Sequence, residues 1–271
     1  MDAHDLSLVI LNHNGGNLLW RCLHSLSQSH LTGVDIVVVD NASTDGSECA
    51  AEQWEVRLIR ADNRHGFLTG LNAAFQATTR PWVGFLQNDV MVHDTTFVPF
   101  LYTPHPTDGI LQLHLQNPDG SVNHIGGQYL WPGVGLGNRR LCPDAAFLPV
   151  DLFATAAFLM PRAIYERVGP FDIQFAPAYY EDVDYSLRCE RLEIPRYVAR
   201  DAIATHLSTY TFHRTHTKSQ LSALCRKNRR YVVEKHFTGV NRMSRLAGLR
   251  VLDTITRDWH HGDTYRPSPP R

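Results

Sequence analysis

Residues 6 to 47 read LSLVILNHNGGNLLWRCLHSLSQSHLTGVDIVVVDNASTDGS, and this segment decides the fold. Two short apolar runs with many β-branched residues, Leu6 to Leu11 and Val34 to Asp40, predict strands. The apolar residues between them recur at helical spacing, at Leu18, Leu19, Cys22, Leu23 and Leu26. A strand, a helix and a second strand in this order predict two parallel strands covered by the helix that connects them.

The same alternation continues further along the chain. Two more apolar runs, Val56 to Ile59 and Trp82 to Leu86, lie on either side of the helix-like segment TGLNAAFQATT. Repeated units of this kind predict an α/β fold with a mainly parallel, mixed central sheet flanked by helices. Later segments predict a hairpin at NPDGSVNHIGGQY, a loop at the Gly- and Pro-rich residues 131–143, Arg-rich helices at about 219–252 and a disordered tail at 261–271.

The composition is that of a globular protein without a dominant charge. The 271 residues include 26 Lys and Arg against 27 Asp and Glu, and 43% of them are hydrophobic. A near-neutral balance argues against nucleic acid as a partner, because such binding needs a clustered basic face. The five cysteines never occur at C-x-x-C spacing, which argues against a disulfide scaffold or a thiolate zinc site and favours a cytoplasmic protein.

Polar segments follow each of the four predicted strands. They are NHNGG, DNASTDGS, ADNRHGF and QNDV, in chain order. Parallel strands end at one edge of a sheet, where ligands bind in α/β proteins, so these segments predict a ligand site. A stable sheet does not require such side chains. Asp40 is placed to accept a hydrogen bond from a nucleobase, although a simple turn or helix cap explains this segment equally well.

Asp89 comes directly after the fourth predicted strand. A carboxylate there can hold Mg²⁺ or Mn²⁺ against diphosphate oxygens, since such hard cations prefer oxygen ligands and take only one or two from protein. A turn or capping role for this aspartate is the alternative. The chain has no G-x-x-x-x-G-K-S/T segment, which argues against a P-loop.

The segment YYEDVDYSLR, Tyr179 to Arg188, concentrates three carboxylates. Glu181, Asp182 and Asp184 have three possible explanations: a metal cluster, a catalytic base with its neighbours, or the acidic first turn of a helix stabilised by the helix dipole. Asp184 and Arg188 are four residues apart and can form an ion pair on one helix face.

In combination, these segments resemble family 2 of the glycosyltransferases, and more narrowly its rhamnosyltransferase-like members. The resemblance lies in the order and spacing of VDNASTDGS, NRHGFLTGLNAAF, QND, NPDGSV, FLMPRAIYERVGPFD and YYEDVDYSLR, and it covers roughly Leu6 to Phe237. It implies a GT-A fold and inversion at the anomeric carbon. Residues 1–105 would bind the nucleotide sugar, residues 106–215 the acceptor, and residues 216–260 would form a C-terminal helical segment.

The resemblance also implies roles for individual residues. Asp182 would be the general base, and Glu181 a rival base or an acceptor contact. Asp89 and His206 would bind Mg²⁺ or Mn²⁺, with a surface or internally hydrogen-bonded histidine as the alternative for His206, although Gln87 stands where the family has its first acid. The implied nucleotide-sugar-binding residues are Asn12, Asp40, Asn41, Asn63, Gly66, Phe67, Asn72 and Asn88.

The expected partners are a nucleotide-sugar donor, either dTDP-rhamnose or a UDP-sugar, and a carbohydrate, lipid-linked or small-molecule acceptor. The basic segment CRKNRRYVVEKHF, Cys225 to Phe237, is explained by a solvated helix face, or by contact with a diphosphate, an anionic acceptor or a membrane surface. The expected location is cytoplasmic with possible membrane association. A catalytically silent sugar-nucleotide-binding protein or glycosylation-complex subunit is the alternative function.

Overall fold

A computed structural model describes residues 1–54, 56–130, 134–137, 145–207 and 217–237 of the chain. The predicted tail at 261–271 and the part of the predicted helical region beyond residue 237 lie outside these ranges. So do residues 131–133 and 138–143 of the predicted loop. The part of that loop which the structure describes, residues 134–137, is a strand paired with residues 127–130.

Strands and helices alternate through the first third of the chain, as the sequence predicts. The helices are α1 (Asn17–Ser27), α2 (Cys49–Gln53), α3 (Phe67–Ala77), α4 (Val98–Leu101), α5 (Arg162–Val168), α6 (Glu181–Arg191) and α7 (Lys218–His236). The strands are β1 (Leu6–Asn12), β2 (Asp35–Asn41), β3 (Arg57–Ala61), β4 (Trp82–Gln87), β5 (Val90–Val92), β6 (Ile110–Gln116), β7 (Val122–His124), β8 (Gly127–Leu130), β9 (Val134–Gly137), β10 (Phe147–Pro149), β11 (Ala157–Pro161) and β12 (Arg196–His206).

The central sheet is mixed, with the strand order β10-β12-β6-β11-β4-β1-β2-β3. The four strands predicted from the sequence pair in parallel, in the order β4-β1-β2-β3, and β6 also pairs in parallel with β12. β11 joins β4 to β6 by antiparallel pairing on both of its sides. β6 and β7 form the predicted hairpin. The mixed central sheet expected from the sequence is therefore confirmed.

Strand β1 is buried along its whole length because helices cover both faces of the sheet. Leu8 and Ile10 belong to the apolar core shared with α1 and α2. Val9 and Leu11 belong to the opposite core, shared with α3, α5 and α6. The five apolar residues of α1 predicted to form its inward face are all buried. This two-sided burial explains why β1 reads as a continuous apolar run rather than an alternating one. None of the helices within the described ranges combines the length and apolarity needed to cross a bilayer.

Candidate active site

The polar residues at the ends of the parallel strands converge at one edge of the sheet, as predicted. Asn12 Nδ2 donates to Asp40 Oδ1 at 2.9 Å, and Asn12 Oδ1 accepts from Asn88 Nδ2 at 2.7 Å. All three side chains are buried. In the structure these side chains satisfy one another's hydrogen bonds where β1, β2 and β4 end.

Asp40 lies inside this cluster rather than on its surface. Its side chain is 0% exposed. Oδ1 accepts from Ser43 Oγ at 2.5 Å, and Oδ2 accepts from the Ser43 backbone N–H at 3.0 Å. The turn-stabilising explanation thus matches the observed contacts. A contact between Asp40 and a nucleobase stays a prediction.

Asn41 joins the segment after β2 to the segment after β3. Its Nδ2 donates to Asn63 Oδ1 at 2.8 Å and to the Gly66 carbonyl at 2.6 Å. Its Oδ1 is buried and has no hydrogen-bond partner within the described part of the chain. Gly66 has a φ of 58°, and a Cβ there would lie 2.7 Å from the Pro177 carbonyl oxygen. Only glycine therefore fits between this loop and the segment that precedes α6.

Asn72 and Phe67 contact that same segment. Asn72 Nδ2 donates to the Phe171 carbonyl at 3.0 Å, and Asn72 Oδ1 accepts from the Phe171 N–H at 2.9 Å. The Phe67 N–H donates to the Pro177 carbonyl at 3.0 Å. Both polar atoms of Asn72 are thus engaged in holding the backbone near Phe171. Nucleotide contacts of Asn72 and Phe67 stay predictions.

Asp89 and His206, predicted as a metal pair, lie together. His206 Nε2 is 3.4 Å from Asp89 Oδ1, an atom that is buried and accepts no hydrogen bond from the described residues. The backbone joins them too, because the Leu207 N–H donates to the Asp89 carbonyl at 2.9 Å. A carboxylate oxygen beside an imidazole nitrogen suits Mn²⁺, and Mg²⁺ needs few protein ligands when phosphates supply the rest. Three or more candidate ligands do not gather anywhere in the described ranges.

Two residues that were not predicted from the sequence, Asn123 and His124, border this pair. Asn123 Oδ1 lies 3.2 Å from His206 Nδ1. His124 Nδ1 accepts from Gln112 Nε2 at 3.1 Å and from the Gly126 N–H at 3.2 Å. Burial, with the nearby charge of His206, lowers the pKa of His124 to about 4, so its ring is neutral. Their segment shows only a hairpin signal, and the pairing of β7 with β6 is what carries them towards β12.

Glu181 and Asp182 are the first two residues of α6, and they differ in environment. Glu181 is 6% exposed, with Oε1 accepting from Thr155 Oγ1 at 2.8 Å and Oε2 without a hydrogen-bond partner in the described part of the chain. Asp182 is half-buried, and its Oδ1 accepts from the Val183 N–H at 2.8 Å. Burial raises the pKa of both carboxyl groups, and the charge of Asp182 raises that of Glu181 further. A carboxyl group with a raised pKa at a partly open position is suited to accept a proton near neutral pH.

Asp184 has a separate role on the same helix. It is 0% exposed, and its Oδ2 accepts a hydrogen bond from Arg188 Nε at 3.0 Å, which is the predicted ion pair. It also contacts Lys235 Nζ and His236 Nε2, each at 2.7 Å. Desolvation raises the pKa of Asp184, but the His236 hydrogen bond and the two cationic side chains outweigh it, so the pKa is lowered. The three acids of the YYEDVDYSLR segment do not form a metal cluster, since Asp184 points to α7.

These contacts correct the view of the C-terminal helix as a fully solvated basic face. Lys235 also forms an ion pair with Asp172 at 2.6 Å, and Arg229 is buried. The exposed basic residues of the helix between 225 and 237 are Arg226, Lys227 and Arg230. One side of α7 is therefore built into the protein, and the rest faces solvent.

The raised pKa of Glu181 predicts a pH-dependent stability. A carboxyl group whose pKa is higher in the folded state holds its proton longer there, so the free energy of unfolding falls as pH rises from about 4.3 through the folded pKa. Glu181→Gln removes this titration. We expect thermal unfolding of the variant to depend less on pH between 5 and 8 than that of the wild type. The exposed Glu190 of the same helix supplies the control, because Glu190→Gln makes the same chemical change outside the buried site. Identical pH dependence in all three proteins would contradict the assignment.

Comparison with known proteins identifies the family. Residues 7–167, more than half of the chain, match the model of glycosyl transferase family 2. A PGL/p-HBAD biosynthesis glycosyltransferase of Mycobacterium bovis is 22% identical over 273 residues, covering 96% of this chain and 92% of the relative. An N-acetylglucosaminyl-diphospho-decaprenol L-rhamnosyltransferase of Mycobacterium tuberculosis is 28% identical over 212 residues, covering 66% of this chain and 68% of the relative.

Solved structures show the same fold at low sequence identity. The mannosyltransferase PcManGT of Pyrobaculum calidifontis, in complex with GDP-Man and Mn²⁺, superposes with a TM-score of 0.61 at 15% identity over 85% of this chain. GalNAc-T7 with UDP, GalNAc and Mn²⁺ superposes with a TM-score of 0.67 at 16% identity over 84% of this chain. This chain spans only 64% and 47% of those two solved chains. It has the GT-A fold and belongs to glycosyl transferase family 2, which makes it a glycosyltransferase.

Proposed function

We propose that this glycosyltransferase moves a sugar from a nucleoside diphosphate donor to an acceptor hydroxyl with inversion at the anomeric carbon, and that Asp182 is the general base. The observation that carries the proposal is the pair at the start of α6. Asp182 is half-buried and has a raised pKa, while Glu181 beside it is buried against Thr155. One carboxyl group is thus accessible to an acceptor and tuned towards neutral pH.

The proposed step needs one base. The acceptor oxygen bonds to the anomeric carbon from the face opposite the diphosphate, and the bond between that carbon and the diphosphate oxygen breaks. Asp182 takes the proton of the acceptor hydroxyl as this happens. Its Oδ1 is held by the Val183 N–H at 2.8 Å, which leaves Oδ2 for the proton. The transition state has oxocarbenium character, as in glycoside hydrolysis. Hydrolysis also needs an acid that protonates the leaving oxygen, whereas a diphosphate leaves as an anion and needs no such acid.

Glu181 is proposed as an acceptor contact rather than a base. Burial and the charge of Asp182 raise its pKa, so its carboxyl group tends to stay neutral and can donate a hydrogen bond. Its Oε2 has no partner in the described part of the chain and is available for that purpose. A buried acid that donates and a more open carboxylate that accepts would orient one hydroxyl group between them.

Asp89 and His206 are proposed to hold Mg²⁺ or Mn²⁺. The buried Asp89 Oδ1, without a hydrogen-bond partner among the described residues and 3.4 Å from His206 Nε2, fits such a site. A bound cation would neutralise negative charge on the leaving diphosphate. The strand-end residues described above would surround the nucleotide, with Asn41 Oδ1 as a buried acceptor that is still unused in the described structure.

The donor is proposed to be dTDP-rhamnose or a UDP-sugar. One mycobacterial relative is named an L-rhamnosyltransferase, and GalNAc-T7 was solved with UDP. The name of that relative also contains a diphospho-decaprenol, which supports a lipid-linked acceptor over a free sugar or another small molecule. Exposed Arg226, Lys227 and Arg230 on α7 would then provide peripheral contact with an anionic membrane surface.

A thermal-shift screen of nucleotide sugars tests the donor site and the metal together. A ligand at 100 times its Kd stabilises the folded state by about 2.7 kcal/mol. We expect the preferred donor with Mn²⁺ to raise the melting temperature of the wild type, and Asp89→Asn to lose the part of the shift that depends on the metal. Asp94→Asn, an exposed carboxylate five residues away, is the matched control and should behave as the wild type. An undiminished Mn²⁺-dependent shift in Asp89→Asn would rule out the proposed metal residues.

A catalytically silent nucleotide-sugar-binding protein is the second candidate. It is favoured by one observation: Gln87, an amide, occupies the position where the family has its first acid. An assay of nucleoside diphosphate release from the preferred donor, with and without Mn²⁺, separates the two functions. A silent protein binds the donor and releases no diphosphate under either condition.

A further inference from the structure

The two residues directly before the Glu181–Asp182 pair have an unusual backbone. Tyr179 and Tyr180 have φ values of 73° and 72°, in the left-handed region that side chains with a Cβ atom rarely occupy. Tyr180 is the N-cap residue of α6, and its carbonyl accepts the Asp184 N–H at 3.0 Å. Two consecutive residues in this conformation persist only where the surrounding structure holds them.

Asn228 of α7 holds this turn. Its side chain is 0% exposed, and its Nδ2 donates to the carbonyl oxygens of Phe175, Ala178 and Tyr179 at 2.9, 3.0 and 2.8 Å. An amide nitrogen carries two hydrogens, so its whole donor capacity is spent on this one segment. The contact to Tyr179 joins residues 49 positions apart in the chain.

The opposite side of the segment is held by the start of α3. The Phe67 N–H donates to the Pro177 carbonyl, and Gly66 lies against the same residue. Residues 175–180 thus lie between the loop predicted to surround the nucleotide and the buried side of α7. The contacts that hold this segment come from α7 and from the start of α3, so α6 alone does not fix the turn that precedes it.

We propose that Asn228 is a positioning residue for sugar transfer: it fixes the Tyr179–Tyr180 turn and thereby sets where Asp182 meets the acceptor. The inference rests on the proposed role of Asp182 as base and extends it. The inference assigns a function to α7, which lies beyond residues 7–167, the part of the chain matched by the family model. Asn228 acts through the turn and does not touch the reacting atoms.

The test compares two cavity-forming variants of α7. Asn228→Ala removes all three hydrogen bonds, whereas Val232→Ala removes buried apolar atoms one turn further along the same helix without a hydrogen bond to the turn. Displacement of a catalytic group by about 1 Å can cost about 100-fold in rate, so we expect kcat of Asn228→Ala to fall at least about tenfold below that of Val232→Ala. The KM for the donor should match in the two variants. Asn228→Ser keeps one donor and should recover part of kcat; it replaces Asn228→Ala in the comparison if the latter does not fold.

A second measurement does not depend on activity. Hydrogen exchange of the backbone at residues 175–183, without substrate, should accelerate in Asn228→Ala and stay unchanged in Val232→Ala. Equal kcat and equal exchange in the two variants would overturn the inference. Asp182→Asn is assayed alongside: if it keeps full activity, the proposed base is wrong, and the exchange data still decide whether Asn228 holds the turn.

Discussion

Replacement of Asp182 by Asn is expected to lower kcat for sugar transfer by about 10²-fold to 10⁴-fold, the usual contribution of a positioned general base. The substitution keeps the size of the side chain and its acceptor oxygen for the Val183 N–H, but an amide cannot take the acceptor proton. Steady-state transfer assays with the preferred donor give kcat, and a thermal-shift titration gives donor affinity. Donor affinity should persist, because the predicted nucleotide residues lie on β1, β2, α3 and the segments that follow β3 and β4.

Glu181→Gln is the comparison that distinguishes the two carboxyl groups. If Glu181 were the base, its variant would lose kcat as severely and Asp182→Asn would remain active. The pH profile gives a further check: transfer requires the ionised base, and burial raises the pKa of Asp182, so the rate should fall on acidification at a pH above the ordinary range of an aspartate. Loss of donor binding in Asp182→Asn with unaltered transfer chemistry would contradict its assignment as base.

Replacement of Asp184 by Asn is expected to destabilise the protein by about 3 kcal/mol, the lower end of the cost of breaking a buried ion pair by removing one partner. Asp184 is fully buried, and its loss of charge leaves Arg188, Lys235 and His236 without their shared anion. The lower end applies because Arg188 and Lys235 are partly exposed to solvent. Urea unfolding at neutral pH measures the change.

Asp201→Asn is the matched control for this prediction. Asp201 pairs with Arg200 at 2.8 Å on the surface, where such pairs contribute about 1 kcal/mol or less. Because the pKa of Asp184 is lowered in the folded protein, its stabilisation is present above about pH 3.9 and is lost as pH falls through the folded pKa. The difference between wild type and Asp184→Asn should therefore shrink in acid. A cost as small as that of Asp201→Asn would show that the contacts with α7 contribute little.

The sequence was sufficient for the elements whose signals are local. The period of two or of 3.6 residues is set by backbone geometry, so the apolar runs of β1 to β4 and the inward face of α1 could be assigned without tertiary information. The Asp184–Arg188 pair follows from the same helical spacing. The ordered set of motifs likewise led to the family, which the match of residues 7–167 shows.

Tertiary structure decided what each polar side chain does. Asp40, Asn12 and Asn88 bond to one another because adjacent parallel strands end together, and Asn72 is engaged by Phe171, 99 residues away. These partners are distant in the chain, and a polar residue in a sequence does not specify whether another protein group or a ligand will satisfy it.

The sequence by itself therefore determined the four strands β1 to β4, the helices α1 and α3 beside them, and the segment that carries Asp182. Only the tertiary structure showed that Asp182 and Glu181 differ in burial, that Asp89 meets His206, and that α7 holds the turn before α6. The physical reason is the range of the interactions. Periodicity and helix spacing act over a few residues, whereas desolvation and hydrogen bonding depend on whichever segments the fold brings together, such as Asn228 and Tyr179.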